Sequence, residues 1–553
     1  MKFSARHIFN LMPAVMVIIL AAASSGGSMV CHAQTFSLSQ EKENRKKAEG
    51  LIAEGAAALE RGDINTARNF LQRAVQADPG NELAHTYLGV IADRAGDLAE
   101  AERQFAAAAI AAPTSPTARN NHGAILLKLG RDAQAAKQFE ISLKLDSKQP
   151  SAMVNLAQIR FKSGRPEGLR AARELFEKAL AIAPDAEIAR ALIVIALRLN
   201  DRTAAAAYYQ IYASRVGSAN TQINSAPARA ELGAALLAAG LGKEASEELG
   251  VVVASDPSNV EAITLLARSF LAQKDIPSAG RTLESAVARG VEASPIYAAL
   301  AEIYQAAGHV ENAIPAMRLA IERDPKNEAY RFRYGMLLTD TKAPEAAVIR
   351  LNESLTEFPR SSKLWFALGV AHFKNQKHDQ AARAFERSIE LDPKFAPAIA
   401  YLGIVYDETA RYTEAIASYT RALAVDDKLA VVHYLLADAL LRQPSADMTS
   451  AESHLQRAIS LEPSFAPARL TLARLYIRTE RLAEAASQLE TVAAADPNQP
   501  EAQYQLSRVY MRLKRTEDAQ KAIAAFKRLS DVQQKQAQTE RQELVRRLAN
   551  VNF

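Results

Sequence analysis

Apolar and small residues recur along this chain at fixed intervals, and the interval is that of paired helices. In the stretch "LWFALGVAHFKNQKHDQAARAFERSIELDP", residues 364 to 393, apolar positions follow a helical period on both sides of a polar turn. With Gly369 as origin, Ala381 lies twelve residues on, followed by Phe385, Ser388 and Pro393. The same intervals lead from Gly89 to Ala101, Phe105, Ala108 and Pro113, and from Gly55 to Ala67, Leu71, Ala74 and Pro79. From Gly403 they lead to Ala415, Tyr419 and Ala422. Gly55, Gly89 and Gly123 are spaced by 34 residues, as are Gly335, Gly369 and Gly403. Each period predicts two helices and the turn between them.

The small residues have a physical reason. Antiparallel helices approach closely only where side chains are small, so Gly or Ala is expected to face Ala across the contact, with Phe105 or Phe385 filling the gap toward the next unit. A Gly in mid-helix costs about 1 kcal/mol in propensity, and its return at one phase implies tight packing. Gly62-Asp63 and Gly96-Asp97 mark the turns inside the pairs. The closing Pro stops the second helix.

About fourteen units can be laid between Lys47 and Lys527, the later ones anchored by Ala245/Pro257, Ala279, Ala313/Pro325, Ala347/Pro359, Ala451/Pro463, Ala485/Pro497 and Ala519. The turn lengthens near 165–170 and 444–448, and the unit over 185–213 lacks its closing Pro. Residues 214–225, polar and Gly-containing, are the candidate hinge between an N-terminal array (47–213) and a C-terminal one (226–527). A polar segment (34–46) precedes the repeats, and 528–553 reads as a capping helix and tail over the last apolar face.

The Gly/Ala, Ala, Phe/Tyr/Leu and Pro positions at a period of 34 resemble the tetratricopeptide repeat (TPR). The resemblance implies an all-α, right-handed superhelical solenoid of antiparallel helix pairs, whose first helices line a concave groove that binds peptides or proteins. Fold alone does not name the ligand.

Composition narrows the setting. The 553 residues carry 67 Lys+Arg against 62 Asp+Glu, a formal charge of +5, which argues against broad capture of nucleic acid. Lys2 and Arg6 precede an apolar run from Leu11 to Ala23, and Cys31-His32-Ala33 gives an A-x-A-like cleavage site before Gln34. Residues 1–33 are therefore expected to be a removed signal peptide, with no transmembrane span left after cleavage. Cleavage would also remove Cys31, the single cysteine, which suits an oxidising compartment. Ser28-Met29-Val30 ahead of it is a poor lipidation signal, so export to the periplasm or medium without a lipid anchor is the expectation.

Signals for catalysis are missing from the pattern. No G-x-x-x-x-G-K-[ST] or G-x-G-x-x-G occurs, and a chain without mature thiols cannot build Cys-based zinc or thiol chemistry. His372 and His378 are six apart and do not share a helical face, and His372 takes the place that Tyr304, Tyr406 and Tyr510 hold in other units. Glu302, Asp407, Glu408 and Asp438 lie near groove phases, yet nothing pairs them for acid–base work. A protein without enzyme activity, metal or cofactor is expected.

By the resemblance, ligand-facing positions lie three and six residues before each unit's Gly/Ala origin, and one, four and five after it. Those positions bring together Phe332, Phe366, Phe373 and Tyr434, with Tyr401 one residue off the set. They are expected to form an apolar groove. Arg442, Arg474, Arg478, Arg508 and Arg512 continue it as a basic ladder, suited to acidic residues or a free C-terminal carboxylate. Asn121 and Asn155, each two residues before an origin, have amides that both donate and accept, as a peptide backbone requires. From Arg508 to Arg547, eleven Lys/Arg stand against five Asp/Glu; peripheral contact with acidic lipid stays open, though a soluble cap accounts for the excess. The expected function is a protein- or peptide-binding scaffold of the cell envelope, in secretion, pilus or polysaccharide-export assembly. The alternative is an accessory protein that stacks polysaccharide on groove aromatics.

Overall fold

The computed structural model describes residues 31–217, 224–340, 344–443 and 446–530, with side chains from residue 40 onward. Twenty-eight helices occur among the described residues, from Cys31–Glu60 to Thr516–Ser530, in fourteen consecutive pairs. The fold is an all-α helical-repeat solenoid with the expected number of units. Two compact units divide the chain, residues 1–279 and 280–553. Of the expected segments, the leader, the centre of the hinge and nearly all of the capping helix lie outside the described residues. The helix Cys31–Glu60 runs through the polar segment at 34–46.

Pairs with Gly at the origin are closed by a shared steric device. A Cβ added to Gly369 would stand 2.5 Å from the Phe385 ring, and one added to Gly403 would stand 2.6 Å from Tyr419. Gly123 faces Phe139 in the same way at 2.6 Å. The expectation that Gly faces Ala, with the ring turned to the next unit, is thereby corrected. The aromatic ring closes over the Gly of its own pair, because only a missing side chain leaves room for a ring at that helix separation.

The turns repeat as well. Inside a pair one residue is left-handed, as at Gly96 (φ 80°), and the following Asp97 accepts from the Glu100 backbone N–H at 3.0 Å to cap the second helix. Ala410 (φ 58°) and Gln376 (φ 58°) hold that conformation without glycine, at a cost of about 1 kcal/mol each. Between pairs, Asp392 and Asp426 accept from the backbone N–H two residues on, at 3.0 Å in each case, so the Asp shapes the turn. Where Pro follows that Asp, it blocks further helix.

A side-chain staple braces the turns between pairs. The residue four before the origin donates to a carbonyl six residues behind it: His85 to Pro79 (2.9 Å), Trp365 to Pro359 (3.0 Å), and Arg469 to Pro463 (3.0 Å). Arg331 does the same to Pro325 at 2.9 Å, and His433 to Asp427 at 3.0 Å. The chain's single Trp is thus a turn brace. Within each unit, first helices of successive pairs also touch, as Glu328–Thr339 touches Ser362–Lys374 and Pro116–Lys128 touches Pro150–Lys162. First helices accordingly lie on the inner side, where a groove would be.

Candidate binding groove

Inner-face positions three before the origin do not all reach solvent. Phe366 is 0% exposed. Its ring meets Phe385 at 5.8 Å, Phe395 edge-on at 5.3 Å and Tyr401 edge-on at 5.3 Å. Tyr401 is also 0% exposed, and its burial drives the phenol pKa upward. Neither ring can meet a ligand, which corrects the expected aromatic groove. The reason is register: a large side chain three before one origin is covered by the residue two before the next.

Phe332, Phe373 and Tyr434 are half-buried against the same core. Phe373 packs on His378 at 5.8 Å and Tyr434 edge-on against Phe465 at 5.5 Å.

The arginines are exposed but largely engaged. Arg442 reaches Asp438 at 2.6 Å and Asp407 at 3.5 Å. Arg474 donates to Thr471 at 2.8 Å and faces Glu501 at 3.8 Å, Arg512 pairs with Glu480, and Arg508 stacks over Tyr504 at 5.7 Å. Arg478 is exposed. Arg442, Arg474 and Arg512 therefore already hold carboxylates of their own chain, and the pairs exposed on both sides, Arg474–Glu501 and Arg512–Glu480, contribute at most about 1 kcal/mol each. The carboxylates considered for catalysis are tied up too: besides Asp407 and Asp438, Glu302 faces Arg333 at 3.5 Å. Among the described residues no group of three or more His, Cys, Asp or Glu could hold a metal ion.

The asparagines behave differently. Asn121 and Asn155 are 8% and 4% exposed, and the Nδ2 of Asn155 has no hydrogen-bond partner. Beside Asn121, Asn120 is 6% exposed with an unpartnered Oδ1. Asn120 was missed in the sequence, although it stands three before Gly123, a ligand-facing phase. A buried amide group left unpaired costs about 1–3 kcal/mol, so such groups mark places where something else completes the bond. One acceptor and one donor on neighbouring first helices match the needs of an extended backbone.

Comparison with known proteins agrees with the geometry. Models described as tetratricopeptide repeat match residues 58–125, 445–504 and 480–538, and others of that description match 294–327, 362–395 and 402–469. The chain is a tetratricopeptide repeat protein. Proteins of this family are generally non-catalytic scaffolds for protein–protein interaction. Among solved structures it is similar to yeast Tom70, at 17% identity over 85% of this chain and 95% of that one, with a TM-score of 0.39. It is also similar to a chain of the APC/C hetero-tetramer Cut9–Hcn1, at 15% identity over 86% and 99%, with a TM-score of 0.38. YrrB, described as a TPR protein with an unusual peptide-binding site, matches at 21% identity over 33% of this chain and 93% of that one, with a TM-score of 0.30. No curated protein sequence matches. No helix among the described residues is long and apolar enough to cross a membrane.

Proposed function

We propose that this protein is an exported scaffold of the cell envelope that holds an extended segment of a partner protein along the inner face of its first unit. The leader-like residues 1–33 support export, and assembly of an envelope complex is the setting that suits a non-catalytic repeat array. The observation that carries the reading is the pair of buried, unspent amide groups, Asn120 Oδ1 and Asn155 Nδ2. Both atoms are covered in the unliganded chain, and a peptide N–H and C=O would complete them once the two side chains turn toward the groove. The polysaccharide alternative is left with the half-buried Phe332, Phe373 and Tyr434 for stacking, since Phe366 and Tyr401 are in the core.

The test is affinity capture with protein recovered from the envelope fraction, whose intact mass should begin at Gln34. An Asn120→Ala, Asn155→Ala variant is expected to lose partners while its stability stays level or rises, since removing an unpaired buried polar group relieves a cost. An unchanged partner set, or recovery of uncleaved protein from the cytosol, overturns the reading.

A further inference from the structure

A three-residue pillar recurs in the second unit. Tyr406 donates to Glu386, twenty residues earlier on the preceding second helix, at 3.4 Å, and Arg411 stacks over the Tyr406 ring at 4.3 Å. Tyr510 donates to Glu490 at 2.8 Å under Arg515, which stacks at 4.3 Å and pairs with that same Glu490 at 3.0 Å. Tyr476 keeps the Arg but shifts the carboxylate by one turn: it donates to Glu452, twenty-four residues earlier, at 3.0 Å, accepts from Gln456 at the twenty-residue position, and lies under Arg481, 4.1 Å from the ring and 2.8 Å from Glu452. Tyr304 donates to Glu284 at 3.0 Å. In all four places a carboxylate of the chain takes the phenol's hydrogen bond, and in the first three an Arg stacks over the ring; at Tyr304 the Arg position holds His309.

Several repeats lack the pillar, and in the one with origin Gly369 polar residues of another kind take all three places. His372 stands where the Tyr stands, Asn352 where the Glu stands, and Lys377 where the Arg stands. A cleft of roughly 450 Å³ opens there, lined by Asn352, Trp365, His372, Gln380, Arg383 and Arg387 among others, with no carboxylate in its wall. Arg387 pairs with Glu390 at 2.7 Å, outside the lining, and Arg383 is exposed with no ion pair among the described residues. The Nδ1 of His372 is buried and without a hydrogen-bond partner. Burial, then Lys377 and Arg383, hold the His372 pKa below its usual value, as expected beside uncompensated cations. The first unit has a cleft of similar size, roughly 470 Å³, but Glu174, Glu177 and Asp201 there face Arg170 and Arg173.

We infer that the cleft between Asn352 and Arg387 is a docking site for the carboxylate of a glutamate side chain presented by a partner protein. The repeated pillars define the chemistry: at the equivalent place in other units the chain supplies a Glu side chain from a helix, against a ring and a cation. Here the ring edge is Trp365, the cations are Arg383 and Arg387, and the carboxylate comes from outside. This surface is formed by two second helices with Trp365, Leu368 and His372 of the first helix between them, apart from Asn120 and Asn155, so it stands or falls separately from the groove reading.

Trp365 is the chain's single tryptophan, so its fluorescence reports on the cleft alone. The mature protein is titrated with a capped Gly/Ala hexapeptide carrying two Glu, with its Gln counterpart, with glutarate and with inorganic phosphate. The Glu peptide should shift Trp365 emission saturably and the Gln peptide should not, with Arg383→Gln weakening binding by about tenfold or more. Restoring the pillar by Asn352→Glu, His372→Tyr and Lys377→Arg should abolish the response. If that triple variant fails to fold by circular dichroism, the exposed Arg383→Gln variant decides alone. Equal responses to the Glu and Gln peptides, no response up to roughly millimolar peptide, or tighter binding of glutarate or phosphate than of the Glu peptide overturns the inference.

Discussion

One register position is filled in opposite ways in the two units. In the second unit Phe366, three before its origin, meets Tyr401, two before the next, edge to face at 5.3 Å and an interplanar angle of 84°. In the first unit the equivalent places hold Asn120 and Asn155, also buried but with polar groups left over. The aromatic junction is complete in itself. The amide junction is not, and a protein keeps an incomplete buried site where a ligand repays it. Polarity alone does not make the difference, because the first unit also contains a complete polar junction. Glu248 there accepts from Arg229 at 3.0 Å, Tyr209 at 3.1 Å and Tyr212 at 3.3 Å, and Arg229 also donates to Asn224 at 2.6 Å. Satisfied junctions are architecture, and the unsatisfied one is the candidate for binding.

Breaking the aromatic junction should have the largest effect. Phe366→Ala removes a ring in contact with three others and leaves a cavity that rigid neighbouring helices cannot close, at a cost of about 4 kcal/mol. Urea unfolding followed by circular dichroism should show an earlier transition, with partner capture at Asn120 and Asn155 retained below it. A loss under about 1 kcal/mol would place the ring at a surface after all.

The polar junction comes next. Glu248→Ala strands Arg229, which is 7% exposed and keeps only Asn224, so about 3 kcal/mol should be lost. Replacing both partners, Arg229→Met with Glu248→Leu, should recover most of that loss, because two buried ions then need no solvation. Additive losses in the double-mutant cycle would show that the pair is not coupled.

How far the sequence could be read follows from these contacts. The repeat period was legible because steric demand is absolute: with 2.5 Å between a Gly369 Cβ and the Phe385 ring, little but Gly fits. The fate of Phe366 was not legible from its own unit, since its cover, Phe395 and Tyr401, comes from the next one. Tyr401, one residue off the ligand-facing phase, was the clue that neighbouring first helices interlock. The arginine ladder misled for a related reason. Arg442, Arg474 and Arg512 find Asp407, Glu501 and Glu480 in neighbouring units, and a reading of one phase at a time does not see them. Asn120 was readable by the phase rule.

The smallest effect concerns a polar junction within the second unit. His433 Nε2–H donates to the Asp427 carbonyl at 3.0 Å, which leaves Nδ1 as a lone pair accepting from His454 Nδ1–H at 2.9 Å. The same register holds His85 with Gln104 at 2.7 Å, Arg119 with Gln138 at 3.3 Å and Arg469 with Gln488 at 2.7 Å. Burial holds both rings of the His433–His454 pair below the ordinary value of 6.5; Arg457 adds to this at His433, Asp427 opposes it, and His433 adds to it at His454. The folded state thus binds these protons less readily than the unfolded chain. Their contribution to stability is complete above about pH 6.5 and is lost as pH falls below it toward the lowered folded-state values. His454→Gln installs the side chain used in three sister units, whose amide N–H can donate to His433 without titrating. Melting temperatures of the two proteins should be close above pH 6.5 and diverge below it, with the wild type falling faster. Parallel curves down to pH 5 would mean that the two rings carry no linked proton, and that this junction is as complete in acid as the aromatic one.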